Sequence, residues 1–214
     1  MPRKAALSLF LVLLVGAVLY LFRGTFETVE ALAMTTYGLV VPPDKPASVE
    51  STAIGGPVKL DPLTGFAQKF SGSLMSMNGG TPQDYDSRQL SGVKYYAFYY
   101  SASWCPPCRA FTPDLVQFYR DFKPSHPDFE LIFVAFDHSS DNMLDYMRSD
   151  GMPWPAIWYA DIDDPGLETK KYCGSGIPCL VLVDSDGTVL SDTFQNGQYT
   201  DPHHVIDDIR TMVK

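Results

Sequence analysis

The chain has 214 residues, 45% of them hydrophobic and 19% charged, with a formal net charge of −9. That balance supports a buried core and excludes a polar disordered chain, and the absence of any Lys/Arg cluster larger than a pair such as Arg3-Lys4 excludes a nucleic-acid partner. Four cysteines, at 105, 108, 173 and 179, are too few for a secreted disulfide scaffold, so their chemistry needs another reading.

Pro2, Arg3 and Lys4 precede an apolar run from Ala5 to Phe22, broken only by Ser8 and Gly16 and closed by Arg23. Eighteen residues at helical rise span roughly 27 Å, close to a bilayer's hydrocarbon thickness. The basic end stays in the cytoplasm and the rest of the chain is delivered to the other side. The bulky flank Leu19-Tyr20-Leu21-Phe22 is unsuited to cleavage, so residues 1–23 are expected to be an uncleaved transmembrane anchor. The alternative is a signal peptide cut near Ala33, in Ala31-Leu32-Ala33, which releases a secreted protein. Both place the domain in the periplasm or another extracytoplasmic space.

Residues 24–62 carry the breakers Val41-Pro42-Pro43 and Gly55-Gly56-Pro57 and read as a linker. The folded domain is expected over 63–214. Phe66, Phe70, Leu74 and Met77 are apolar near its start, and Asn78-Gly79-Gly80 supplies a turn. The pattern then predicts strands at Tyr95–Tyr100, Leu131–Phe136, Cys179–Val183 and Val189–Thr193. Helices are predicted at Cys105–Phe122, Asp141–Ser149, Leu167–Tyr172 and Pro202–Val213. Asp184-Ser185-Asp186-Gly187 is a tight turn that makes the last two strands an antiparallel hairpin. Parallel strands joined by helices and closed by such a hairpin make an α/β sandwich with a central mixed sheet.

Chemistry concentrates at Ser101-Ala102-Ser103-Trp104-Cys105-Pro106-Pro107-Cys108-Arg109, between a strand and a helix. A helix N-terminus offers free N–H groups and partial positive charge, which favour thiolate over thiol. Cys105, in the first turn, is the more exposed and better-placed nucleophile; Cys108, one turn in, is positioned to resolve a mixed disulfide. Pro106 and Pro107 are tolerated there because first-turn N–H groups lack partners anyway, and they stiffen the loop. A zinc site would want two such pairs, and Cys173 and Cys179 have five residues between them, so no metal is expected. Trp104 is expected on the surface turn, shielding one side of a disulfide. Pro113 interrupts a helix whose Phe111, Leu115, Phe118 and Phe122 recur at core spacing.

These residues carry a resemblance. Tyr100 to Arg109, Phe111-Thr112-Pro113, Phe118-Tyr119, Phe136-Asp137, Tyr146, Met152-Pro153-Trp154-Pro155-Ala156 and Gly176-Ile177-Pro178 are similar to the thioredoxin superfamily, in its tryparedoxin and nucleoredoxin type. The similarity covers roughly residues 65–195. It implies a thioredoxin-like three-layer sandwich, a redox-active Cys105–Cys108 disulfide and no further cofactor. It implies that Cys105 attacks and Cys108 resolves, and that Pro178 follows a cis peptide bond, with Ile177 pairing its backbone to an extended substrate. Where thioredoxin carries a buried aspartate this chain has Tyr99, a poor base at neutral pH, so the proton relay falls to water, Asp137 or another group.

The expected activity is that of a membrane-anchored thiol–disulfide oxidoreductase, a protein-disulfide reductase, acting on protein thiols or disulfides and fed by a membrane or soluble electron donor. The competing reading is a peptide-binding or adaptor module without turnover, which would have no need of two thiols. Cys179 reads as a small buried side chain; Cys173 is open between that and a second redox pair.

Overall fold

The computed structural model describes residues 65–214. The expected anchor (1–23) and linker (24–62) lie outside the described residues. Among the described residues no helix is long and apolar enough to cross a membrane.

A short helix α1 (Phe66–Lys69) leads into a hairpin of β1 (Leu74–Asn78) and β2 (Thr81–Asp84). Then come β3 (Tyr95–Ser101), α2 (Pro106–Phe122), β4 (Phe129–Ala135), α3 (Ser140–Asp150) and the two-residue β5 (Ala156–Ile157). The chain closes with β6 (Cys179–Asp184), β7 (Val189–Asp192), a small hairpin of β8 (Phe194–Gln195) and β9 (Gln198–Tyr199), and α4 (His203–Met212). The main sheet runs β2-β1-β5-β4-β3-β6-β7. β3 pairs in parallel with β4 and antiparallel with β6, so the sheet is mixed, as expected.

β3 is the centre. Its sequence, Tyr-Tyr-Ala-Phe-Tyr-Tyr-Ser, is rich in aromatics that suit a pleated, two-sided strand. Alternate side chains go to opposite faces. Tyr96, Phe98 and Tyr100 meet Phe66, Phe70, Tyr172 and Thr169: Phe98 stacks on Tyr172 at 5.4 Å, and the Tyr100 hydroxyl donates to the Thr169 carbonyl at 2.5 Å. Tyr99 faces the other way, toward Phe111 of α2 and Trp154. α4 covers the same side as α2, its Arg210 guanidinium lying 5.3 Å from the Phe118 ring.

Local sequence explains the boundaries. In α3, the Ser139 hydroxyl caps the Asn142 N–H at 3.2 Å, and Gly151 closes the helix at φ 62°. The β6–β7 turn is held by the Asp184 carboxylate, which accepts the N–H groups of Asp186 and Thr188, both at 2.9 Å.

Three expectations change. Leu167–Tyr172 is not an α-helix: only a 3-10 turn, Thr169–Lys171, forms there. Pro165-Gly166 precedes it and Glu168 sits at φ 52°, so no helical run can start earlier. The β1–β2 hairpin was hidden by polar residues and Pro82, which an edge strand tolerates. β4 begins at Phe129 rather than Leu131 because Glu130, a charge inside a strand, is buried with partners. Its carboxylate accepts from the Tyr119 hydroxyl at 2.6 Å and the Tyr85 hydroxyl at 3.3 Å, and pairs with Lys123 at 3.3 Å.

Burial raises the phenols of Tyr99, Tyr100 and Tyr119 well above their usual value; Glu130 adds to the shift at Tyr119. A raised folded value means the contribution is complete below the unfolded value, about 10, and is lost as pH rises beyond it. Each such tyrosine therefore costs about 1.4 kcal/mol per pH unit above that point. The expected outcome is cooperative alkaline unfolding in which tyrosinate absorbance near 295 nm and loss of helical circular dichroism coincide. Tyrosinate formation of all three phenols in a chain that keeps its helical signal would contradict it.

Candidate active site

Ser101 ends β3 opposite Ala135, so β3 and β4 finish level and the loops that follow them touch. The Phe136 N–H donates to the Ser101 carbonyl at 2.8 Å. Asp137 Oδ1 then accepts from the Ser103 backbone N–H at 2.9 Å and the Ser103 hydroxyl at 2.6 Å. Asp137 is buried, and among the described residues its Oδ2 has no hydrogen-bond partner. Tyr159 steadies the same loop, its hydroxyl donating to the Asp137 carbonyl at 3.1 Å. This clamp fixes the turn from which α2 starts.

Cys105 is the N-cap residue of α2, with Pro106 and Pro107 in the first turn. Cys105 and Cys108 form a disulfide. Cys105 Sγ accepts the Cys108 N–H at 3.3 Å and lies 3.7 Å from the Ile177 carbonyl oxygen. Both sulfurs are buried, Cys108 completely and Cys105 with 4% of its surface exposed. Pro106 and Pro107 are exposed beside them. Ala102, Phe136 and Ile177 pack against the pair. The Ile177–Pro178 peptide bond is cis. Trp104 is 51% exposed and turned outward: its ring stacks on His138 at 5.5 Å and its Nε1–H donates to the Phe136 carbonyl at 3.0 Å.

Beneath Cys108 lies a chain of hydroxyls that sequence reading missed apart from Tyr99. Thr112 Oγ1 donates to the Cys108 carbonyl at 2.8 Å. With that proton committed, the Tyr99 and Tyr146 hydroxyls donate to Thr112 at 2.8 and 2.6 Å, and Ser101 donates to Tyr146 at 3.0 Å. The only local signal was Thr112 standing four residues after Cys108, in position to bond back to its carbonyl. Arg109 covers Tyr146 from outside, 5.2 Å from the ring, and pairs with Asp150 at 3.1 Å. Buried phenol, not carboxylate, thus stands under Cys108.

Residues 92–189 match a family model described as thioredoxin-like. Tryparedoxin I from Leishmania major is 34% identical, with 66% of this chain and 90% of that chain covered and a TM-score of 0.50. The chain belongs to the thioredoxin-like family. Native tryparedoxin I from Crithidia fasciculata is 31% identical over 68% of this chain and 92% of its own, with a TM-score of 0.51. Nucleoredoxin from Danio rerio is 38% identical over 126 residues, which are 59% of this chain and 29% of that protein. The chain therefore spans less than a third of the nucleoredoxin it matches.

Cys173 and Cys179 are free thiols, the first half-buried and the second buried. Burial pushes Cys173 up to about 11 and Cys179 up to about 12, although the Gly174 N–H favours the Cys179 thiolate. Both sit on the thiol side until strongly alkaline pH, whereas reduced Cys105 keeps an N–H donor for its thiolate. Brief iodoacetamide treatment of the reduced protein at pH 7, read by peptide mass spectrometry, is expected to label Cys105 and to spare Cys173 and Cys179 until the chain is unfolded. Labelling of either at the rate of Cys105 would contradict this assignment.

Proposed function

We propose that this chain is a thiol–disulfide oxidoreductase that reduces protein disulfides through Cys105 and Cys108. The observation that carries the reading is the disulfide at the N-terminus of α2, its outer sulfur facing both the Cys108 N–H and the Ile177 carbonyl. In the reduced protein the Cys105 thiolate attacks one sulfur of a substrate disulfide. A Cys105–substrate bond forms, the substrate disulfide breaks, and the second substrate sulfur leaves as a thiolate and takes up a proton. Cys108, deprotonated, then attacks Cys105 Sγ. The Cys105–Cys108 bond re-forms, the Cys105–substrate bond breaks, and the first substrate sulfur leaves as a thiolate that takes up the proton Cys108 gave up, so the substrate departs carrying both electrons. Ile177 supports this by offering backbone to an extended segment beside the reacting sulfur. An electron donor, membrane-bound or soluble, must then reduce the pair again.

Replacing Cys105 by Ser is expected to reduce turnover of a protein disulfide to the uncatalysed level. Replacing Cys108 by Ala is expected to trap substrate as a mixed disulfide on Cys105. Turnover that survives Cys105→Ser would leave a binding module as the better account. The direction of electron flow is set by the potential of the couple. A value near about −270 mV goes with the reductant proposed here, and one near about −120 mV would reverse the assignment to an oxidant.

The charged–apolar–charged pattern of residues 1–23 supports placing this activity on a membrane, with the domain in the periplasm or another extracytoplasmic space. The full chain is expected to stay in the membrane pellet after alkaline carbonate extraction, and a chain lacking residues 1–23 to move to the supernatant. Release of the full chain by carbonate would favour cleavage near Ala33.

A further inference from the structure

Beside the disulfide, between α2 and the start of α4, opens a pocket of about 590 Å³ that the exchange steps do not use. Pro107 and Pro178, which flank the reactive pair, form its inner edge. Its apolar walls are Phe111, buried under α2, and Tyr199 of β9, which is 48% exposed.

The Tyr199 wall is anchored. Its ring meets Phe194 edge-on at 5.4 Å. Phe194 in turn covers Gly174 so closely that a Cβ there would overlap the ring. Gly174 begins the loop that carries Ile177 and Pro178, so the pocket and the cis-proline loop share one support. Thr200 ties the other end of the hairpin down, its N–H and hydroxyl donating to the Thr193 carbonyl at 2.8 and 2.6 Å.

The mouth is charged, and one-sidedly. Asp114 of α2 and Asp201 before α4 stand on either side of His203, whose Nε2 and Nδ1 lie 3.1 and 2.6 Å from their carboxylates. A neutral imidazole has a single N–H, so only the imidazolium can donate to both. Burial pulls the His203 value down, but hydrogen bonds to Asp201 and Asp114 and their charges outweigh it and leave it raised. The His203 N–H and side chain hold Asp201 below the usual carboxylate range. Two carboxylates against one imidazolium leave the mouth negative, and no lysine or arginine lines the pocket among the described residues.

We propose that this pocket receives a basic side chain of the substrate, so that the preferred substrate is a protein disulfide with Arg or Lys close to the reacting cysteine. The stem of such a residue is apolar and lies on Tyr199 and Phe111, while its cationic head meets Asp114 and Asp201. Extended chain sends residues i and i+2 to the same face. The residue two positions from the reacting cysteine is therefore the one carried to the pocket when the segment pairs with Ile177. This inference names the substrate class of the activity proposed above and rests on it.

The test uses the full chain in neutral detergent and peptides whose single cysteine is capped as a thionitrobenzoate mixed disulfide, with reduction followed at 412 nm. Peptides carry Arg, Ser or Glu two positions to either side of the cysteine. The Arg peptide is expected to exceed the Glu peptide in kcat/KM by about tenfold, a swing of the size expected for partly exposed ion pairs made in one case and repelled in the other. The combined change Asp114→Asn and Asp201→Asn is expected to bring that ratio within about twofold. The pair Asp145→Asn and Asp186→Asn, exposed carboxylates outside the pocket lining, removes the same charge and is expected to leave the ratio intact. Arg and Glu peptides reduced at equal rates by the unaltered chain would overturn the inference alone. So would a preference that survives loss of Asp114 and Asp201, or one that falls equally with the control pair. If no peptide is reduced in a Cys105-dependent way, the proposed activity fails, and the inference fails with it.

Discussion

The site depends on one carboxylate oxygen. Asp137 Oδ1 takes both the N–H and the hydroxyl of Ser103, and so joins the loop after β4 to the loop after β3. That union is possible only because the two strands are parallel and in register to their last residues, Ser101 against Ala135. Level strand ends bring two β-to-α turns side by side at the C-terminal edge of the sheet, where helix N-termini converge. Cys105 occupies the cap position of one of them. The clamp adds to the supports Trp104 has, its Nε1–H on the Phe136 carbonyl and its ring on His138, in fixing the turn that leads to Cys105.

The same geometry decides what lies beneath the disulfide. β3 must fill both faces of the sheet, and at Tyr99 it places an aromatic ring with one hydroxyl where a carboxylate would also fit the topology. The hydroxyl is absorbed into a closed set of donors ending on the Cys108 carbonyl through Thr112. Burial holds that phenol well above its ordinary value, so it remains a donor throughout the neutral range. Its effect is therefore positional: it fastens the second turn of α2 to the sheet by hydrogen bonds and leaves proton movement to other groups. Asp137 is a buried carboxylate already bonded through one oxygen, with its other oxygen unpartnered among the described residues.

What was legible in the sequence follows from how local each signal is. The aromatic run of β3 and the 3.6-residue period of α2 are set by near neighbours, and both elements appear within a residue of their expected bounds. The Asp184–Gly187 turn carries its own carboxylate and glycine and needed nothing distant. β1, by contrast, is a strand because β5 and β2 flank it, and β5 has only two residues, directly after Pro155, to announce it. Glu130 looked like a strand end because its partners, Tyr119, Tyr85 and Lys123, come from three other segments. The two cysteines, Trp104 and the cis-proline loop were visible as residue types in a motif. The bond from Ser103 to Asp137 and the His203 ring between Asp114 and Asp201 were not, since each joins side chains whose proximity only the folded sheet creates.

A chain that holds one disulfide and also carries two further thiols risks scrambling its own pairing. Distance along the chain offers no protection, because Cys179 directly follows Pro178 at the active-site loop. Protection comes instead from solvation. Exchange proceeds through thiolate, and burial pushes Cys173 up to about 11 and Cys179 up to about 12, so both rest as thiols at neutral pH. Cys105 is placed oppositely, with an N–H donor and a helix N-terminus at its sulfur. Four identical side chains are thus divided into a reactive pair and an inert pair by where the backbone N–H groups and the solvent are. The division holds only while Phe194 stays packed over Gly174 in the loop from Cys173 to Pro178, so the fold that sets Ile177 beside the disulfide also limits solvent access to the further thiols.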